Sequence, residues 1–213
     1  MLNLIKKDYF IVKKVWFGVM FVALLIPVFL SFVGGDIIIP AWLTLASMST
    51  LLALMLVSSI DEEEEKYPKA KSLITTLGYS RKVQVIERYV LMMLVFLYAI
   101  GIYAVESLFI TGLGKLTITS FAISFLVFTI IVALYLSMTT LFGVRASRYI
   151  MMFVIVLISI GPRVISKLNI KINLDFVYAL NQSILISSMI LFAIMVYFIA
   201  LKVSINSYNN KEL

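Results

Sequence analysis

The sequence contains no cysteine and no histidine. Without cysteine there is no disulfide framework and no thiolate metal site. Without histidine the usual general base, the commonest transition-metal ligand and the side chain that titrates near neutral pH are all missing. Acids are few as well: 11 Asp and Glu stand against 18 Lys and Arg, a formal net charge of +7. No aspartate falls in the middle of an apolar run. These gaps argue against a Ser–His hydrolase, an HExxH zinc enzyme and an aspartyl intramembrane protease. Gly114-Lys115 is followed by Leu116, and position 109 is Phe109, so the one Gly-Lys pair does not make a P-loop. Neither a nucleotide site nor a cofactor is expected in this chain.

What the sequence does have is apolar length. Of 213 residues 62% are hydrophobic, and the mean hydropathy is +1.09. Soluble domains are about 45–50% apolar. The excess is gathered in long runs separated by short polar segments, and a chain of this size cannot bury six such helices away from water. The fold class predicted is an all-α integral membrane protein, with residues 1–213 forming a single transmembrane domain. Six spans are placed at roughly Val15–Val33, Ile37–Ile60, Tyr89–Ile110, Ile118–Phe142, Tyr149–Val164 and Val177–Leu201. No small-residue cleavage site follows the first run, which reads as a retained helix rather than a signal peptide. Fourteen of the basic residues, among them Lys6, Lys7, Lys13, Lys14, Arg81, Lys82, Arg88, Arg145 and Arg148, fall on one side of this arrangement. That bias predicts that both termini are cytoplasmic. It also accounts for the net charge without nucleic acid.

Two cytoplasmic segments carry structure of their own. Residues 1–14 read as an interfacial helix, with Leu2, Ile5, Tyr9, Val12 and Trp16 on one face, although Leu4 and Ile11 interrupt the pattern. Its lysines would meet anionic lipid headgroups; a plain positive flank that orients span 1 is the alternative. Residues 61–88 form the one long loop. It opens with Asp61, Glu62, Glu63, Glu64 and Glu65. Acids oppose the dipole at a helix C-terminus, so this run is expected to cap a break or extend into water, or to serve as a docking surface. Pro68 then suits a first helical position and Gly78 the position after a helix end. Between them Ala70, Leu73, Ile74 and Leu77 form an apolar stripe opposite Lys69, Lys71 and Ser72. A helix this short is marginal alone and needs a surface to cover its stripe. Ser80 is placed as an N-cap. The helix from Arg81 to Ile110 would be about 45 Å long, more than the roughly 30 Å hydrocarbon core, so it should project beyond the membrane.

The spans hold few ionisable groups. Glu106 and Arg163 fall near the outer ends of spans 3 and 5, with Asn181 and Gln182 at the outer start of span 6. An outer gate built from these four residues is the functional expectation, against separate snorkelling to headgroups. The span 2 hydroxyls, Thr44, Ser47, Ser49 and Thr50, are expected to pack helix against helix. Met151, Met152 and Phe153 line either an apolar pathway or the lipid boundary.

The layout resembles the permease subunits of bacterial type-two ABC exporters, particularly small ones serving lantibiotic-like peptides and the phenol-soluble modulin toxins of staphylococci. The resemblance covers nearly the whole chain as an arrangement and is most sequence-like over Glu62–Tyr89. There Leu77-Gly78-Tyr79-Ser80-Arg81-Lys82 stands where such permeases often show Leu-Pro-x-Ser-Arg-Lys, with Gly78 in place of the proline. The resemblance implies a coupling helix between spans 2 and 3. That helix would dock a separate ABC ATPase subunit through Pro68, Ala70, Leu73, Ile74, Leu77, Gly78, Ser80 and Arg81. It further implies a second permease, identical or similar, and export of an amphipathic or hydrophobic substrate such as a peptide across the bacterial plasma membrane. Two other functions remain open on the sequence alone: a non-transporting immunity or sensor subunit, and an ion-coupled secondary transporter.

Overall fold

A computed structural model describes residues 2–11, 13–34, 40–66, 80–110, 112–149, 152 and 182–209. The regular elements among them are helices: α1 (Leu2–Ile11), α2 (Lys13–Gly34), α3 (Ala41–Lys66), α4 (Arg81–Phe109), α5 (Ile118–Phe142) and α6 (Gln182–Asn209). A further helical turn covers 144–149. Four helices, α3 to α6, are long and apolar enough to cross a bilayer, and α2 holds a shorter apolar stretch, Val15–Phe29. Six spans are therefore not established. The fifth predicted span lies outside the described residues except for Tyr149 and Met152, and so do Met151 and Phe153.

The predicted bounds of the fourth span coincide with α5. Others differ where polar residues continue a helix past its apolar part. α3 runs on to Lys66 and α6 to Asn209, and α2 already includes Lys13. The expectation that the acidic run breaks or caps the helix is overturned: residues 61–66 are the last turns of α3.

α3 lies at the centre, packed on α2, α4 and α5, while α6 lies along α5 and α4. Its buried side chains recur at helical spacing: Leu45, Met48, Leu52, Leu56 and Ile60. They meet Tyr89, Met92, Phe96 and Tyr103 of α4 and Phe128, Val132 and Leu136 of α5 in one core. Phe96 is ringed by Phe121, Phe125 and Phe128 of α5, with centroids 6.0, 5.4 and 4.7 Å away. The outward faces are also apolar. Phe17, Phe21, Leu97, Leu108 and Phe198 are each more than 60% exposed. Helices that are apolar inside and out are solvated by lipid, and the α-helix is the element that satisfies its own backbone there.

Of the span 2 hydroxyls, Ser47 is half-buried and donates back to the Thr44 carbonyl of its own helix at 3.0 Å. Thr44, Ser49 and Thr50 are buried. Thr50 donates to the Ala46 carbonyl at 2.7 Å and Ser49 to the same carbonyl at 3.2 Å, so neither hydroxyl is left bare. Ser80 caps α4 as predicted, its Oγ accepting from the Val83 N–H at 3.4 Å. Thr117 caps α5 by accepting from the Ser120 N–H at 3.1 Å. Gly143 ends α5 at φ +87°, ψ 170°, a region open essentially to glycine, and its N–H reaches the Thr139 carbonyl at 3.1 Å. The chain there re-aims into the turn at 144–149.

Candidate functional site: a charged junction at one end of the bundle

The charges of α1, α3 and α4 meet at one end of the bundle. Near the start of α4, Arg88 donates through Nη1 to Asp61 Oδ1 and through Nη2 to Glu64 Oε2, the latter at 2.6 Å. Asp61 and Glu64 are three residues apart and so share a face of α3. Lys7 of α1 donates to Glu64 Oε1 at 3.3 Å and lies 2.8 Å from Asp8 Oδ1. Arg148, on the turn after Gly143, reaches Glu62 at 3.1 Å. Lys66 and Glu63 pair at 2.5 Å along α3. Each acid of the run from Asp61 to Glu64 thus meets a cation. Partners on other elements offset the unfavourable dipole that the sequence alone suggested.

Burial makes this junction more than a solvated surface. Asp8, Asp61 and Glu87 are 1%, 2% and 3% exposed. These residues lie before Tyr89, where the apolar part of α4 begins. Burial would lower the Lys7 ammonium, but Asp8 and Glu64 beside it hold it raised. Burial likewise opposes the Arg88 charge, and Asp61 and Glu64 outweigh it, so the guanidinium stays well above its ordinary value. Glu87 behaves oppositely. Burial, then the neighbouring Asp8, push its carboxyl up to about 8, against the smaller pull of Arg88 and Lys7. Its Oε1 has no hydrogen-bond partner among the described residues. A cavity of about 240 Å³ lies in the junction, walled by Lys7, Glu64, Arg81, Gln84 and Glu87 together with Tyr208 at the end of α6. Tyr208 donates to Gln84 Oε1 at 3.3 Å, so α6 closes the same end. No group of three carboxylates among the described residues is placed to hold a metal ion.

The predicted site residues fall in three classes. Ser80 and Arg81 stand at the start of α4, where the segment 67–79 returns to the bundle. Pro68, Ala70, Leu73, Ile74, Leu77 and Gly78 lie outside the described residues, as do Arg163 and Asn181. Glu106 is buried on α4, with Oε2 unpartnered among the described residues. Gln182 donates to Thr119 Oγ1 at 3.2 Å, tying the start of α6 to α5.

Sequence reasoning missed Asp8 and Glu87 altogether. On α1 the buried residues include Leu4 and Asp8, while Tyr9, on the face assigned to the membrane interface, is 37% exposed. The i, i+4 spacing of Leu4 and Asp8 was the available signal, hidden because a helix is expected to bury its apolar face.

No curated protein and no solved structure matches the chain. The family model described as ABC-2 family transporter protein matches residues 3–209. A multi-pass helical bundle without a P-loop, matched over nearly its whole length, is the membrane component of a transporter whose ATP chemistry lies in an ABC ATPase partner. The chain belongs to the ABC-2 family of transporter proteins, as a permease subunit.

Proposed function

We propose that this permease is half of an ATP-driven exporter in a bacterial plasma membrane, with both termini cytoplasmic. It works beside a second permease, identical or similar, and moves an amphipathic or hydrophobic substrate such as a peptide. Residues 68–77 form the coupling helix that docks the ATPase through Ala70, Leu73, Ile74 and Leu77. Pro68 and Gly78 delimit that helix, and Ser80 and Arg81 flank it.

One observation carries this reading. The segment 67–79 departs from Lys66 and returns at Ser80, so both of its attachments border the charged junction. There Arg88 bonds α4 to α3, and Lys7 bonds α1 to α3. A displacement of the segment by the ATPase would be passed to two spans and to α1 together, rather than absorbed by a loose loop. Glu106, Arg163, Asn181 and Gln182 are assigned to outer closure.

The test is copurification with the ATPase subunit after Leu77→Asp. Removing one packed leucine side chain costs about 2–5 kcal/mol in a buried site. The variant should insert normally and lose the ATPase. Retention of the ATPase at wild-type yield would reduce 68–77 to a membrane-surface element. Saturable ATP binding by the permease alone would contradict the division of labour.

A further inference from the structure

Beside the charged junction, a second cavity of about 320 Å³ lies between α1, α2, α3 and α4. Its volume falls at the small end of the roughly 300–1,000 Å³ typical of ligand sites. α4 contributes Leu91, Leu94, Val95 and Tyr98, and α3 contributes Leu52 and Leu56. Leu91 to Tyr98 is seven residues along one helix, so the groove extends about 10 Å down α4. It begins just past Arg88, at the depth of the charged junction, and runs into the apolar part of the bundle. Leu94 is 47% exposed, so the groove is open on the surface that a bilayer covers.

The polar groups of this cavity come from the other end of the chain. α1 supplies Lys6 and Tyr9, and α2 supplies Trp16. The rings of Tyr9 and Trp16 are 5.8 Å apart. Among the described residues, Lys6 is the one charged group in the lining. It is exposed and has no ion pair among those residues. The Trp16 Nε1–H is buried and has no acceptor among the described residues. The described lining therefore offers a long apolar trough with one cation, Lys6, and no anion.

We propose that this groove is a binding site for an anionic phospholipid. One acyl chain lies along Leu91, Leu94 and Tyr98, and the phosphate pairs with Lys6. The bound lipid would fasten α1 to α2, α3 and α4. The site does not depend on the direction of transport or on the substrate. It commits to a membrane lipid because the groove opens laterally and its charge lies at the interfacial end.

The chain has two tryptophans. Trp42→Phe leaves Trp16 as the sole indole, and bromine on a lipid acyl chain quenches an indole it touches. The full chain carrying Trp42→Phe is reconstituted in phosphatidylcholine vesicles. A minor fraction of the lipid is either brominated phosphatidylglycerol or brominated phosphatidylcholine. An attraction of about 1 kcal/mol per lysine corresponds to about fivefold enrichment, so the anionic lipid should quench Trp16 well beyond the zwitterionic one. Lys6→Gln should bring the two to parity. Leu94→Phe, which fills the trough and leaves Lys6 in place, should lower quenching by both. Equal quenching by both lipids in the Trp42→Phe chain would overturn the proposal. So would an anionic preference that survives Lys6→Gln, or quenching that Leu94→Phe leaves unchanged.

Discussion

Arg88 Nη2 lies 2.6 Å from Glu64 Oε2, so α4 is bonded near its start to the last turn of α3, 24 residues back along the chain. The same guanidinium also holds Asp61, and Glu64 also receives Lys7. One arginine and one glutamate thereby join three helices, on either side of the segment assigned to ATPase docking.

Breaking this pair should be costly. Arg88 and Glu64 are half-buried, but Asp61 beside them is buried, and leaving a buried charge without its partner costs up to about 3–5 kcal/mol. Arg88→Gln should therefore lower the thermal midpoint of the detergent-solubilised chain markedly. Glu64→Gln should cost less, since Asp61 still holds Arg88. The two effects should be less than additive in the double variant, as expected for residues in direct contact. Strict additivity would mean that the two side chains do not share one interaction.

Glu87 gives the junction a pH dependence. Its carboxyl is pushed up to about 8 by burial and by Asp8, from an ordinary value of 4.5. The folded chain therefore keeps a proton at this site that the unfolded chain releases. Its contribution is fully present below about pH 4.5 and is lost as pH rises through about 8. Stability should thus fall from pH 5 toward pH 8. Glu87→Gln, a permanent stand-in for the protonated acid, should flatten that slope. Thermal midpoints across this window, for wild type and variant, check it. An undiminished slope in the variant would assign the titration to another group.

How far the sequence could be read depended on whether the deciding interaction was local. α5 was legible to its bounds, since the apolar run that marks it lies wholly within it. The start of α4 was legible from Ser80 for the same reason. The end of α3 was not. By the dipole alone, four consecutive glutamates argue against a helix, and the cations that reverse this expectation come from positions 7, 88 and 148. No spacing within residues 61–66 announces them. The charged junction was hidden in the same way. Pattern alone points lysines 6 and 7 at lipid headgroups, yet Lys7 turns to Glu64. Family membership was legible from layout and from the Glu62–Tyr89 stretch, and the match over residues 3–209 agrees with it.

Gly143 should resist substitution for a backbone reason alone. Nothing lies within 4 Å of a Cβ placed there, so side-chain clash is not the obstacle. The obstacle is φ +87° with ψ 170°, which strains any other residue by about 1–3 kcal/mol. Gly143→Ala should destabilise by an amount in that range and also shift the turn at 144–149, weakening the contact between Arg148 and Glu62. Measuring the midpoint in the Glu62→Gln background separates the two effects. If Gly143→Ala costs nothing there, the loss acts through Arg148 and not through strain.

A polar ladder binds α6 to the bundle. Tyr89 OH lies 2.8 Å from Ser204 Oγ, and Ser137 Oγ of α5 lies 3.5 Å from each of them. Tyr197 OH donates to the Tyr89 carbonyl, and its ring meets the Tyr89 ring edge-on at 5.1 Å. α6 is otherwise the least enclosed of the four long apolar helices, so these contacts hold it beyond what apolar packing supplies. Hydrogen bonds between membrane helices are modest, averaging about 0.6 kcal/mol and reaching about 1.7. Tyr89→Phe should cost an amount in that range, since the ring and its packing on Tyr197 remain. Ser204→Ala should cost a similar amount, and the double variant little more than either alone, because both delete the same bond. Tyr197→Ala should cost more, about 3–5 kcal/mol by analogy with buried aromatics, since it removes the ring contact and leaves the Tyr89 carbonyl without that donor. Unfolding monitored in mild detergent, with α6 followed by a label at exposed Ile199, distinguishes these outcomes. If Tyr197→Ala proves no worse than Tyr89→Phe, aromatic packing adds nothing and the hydroxyl ladder alone holds α6.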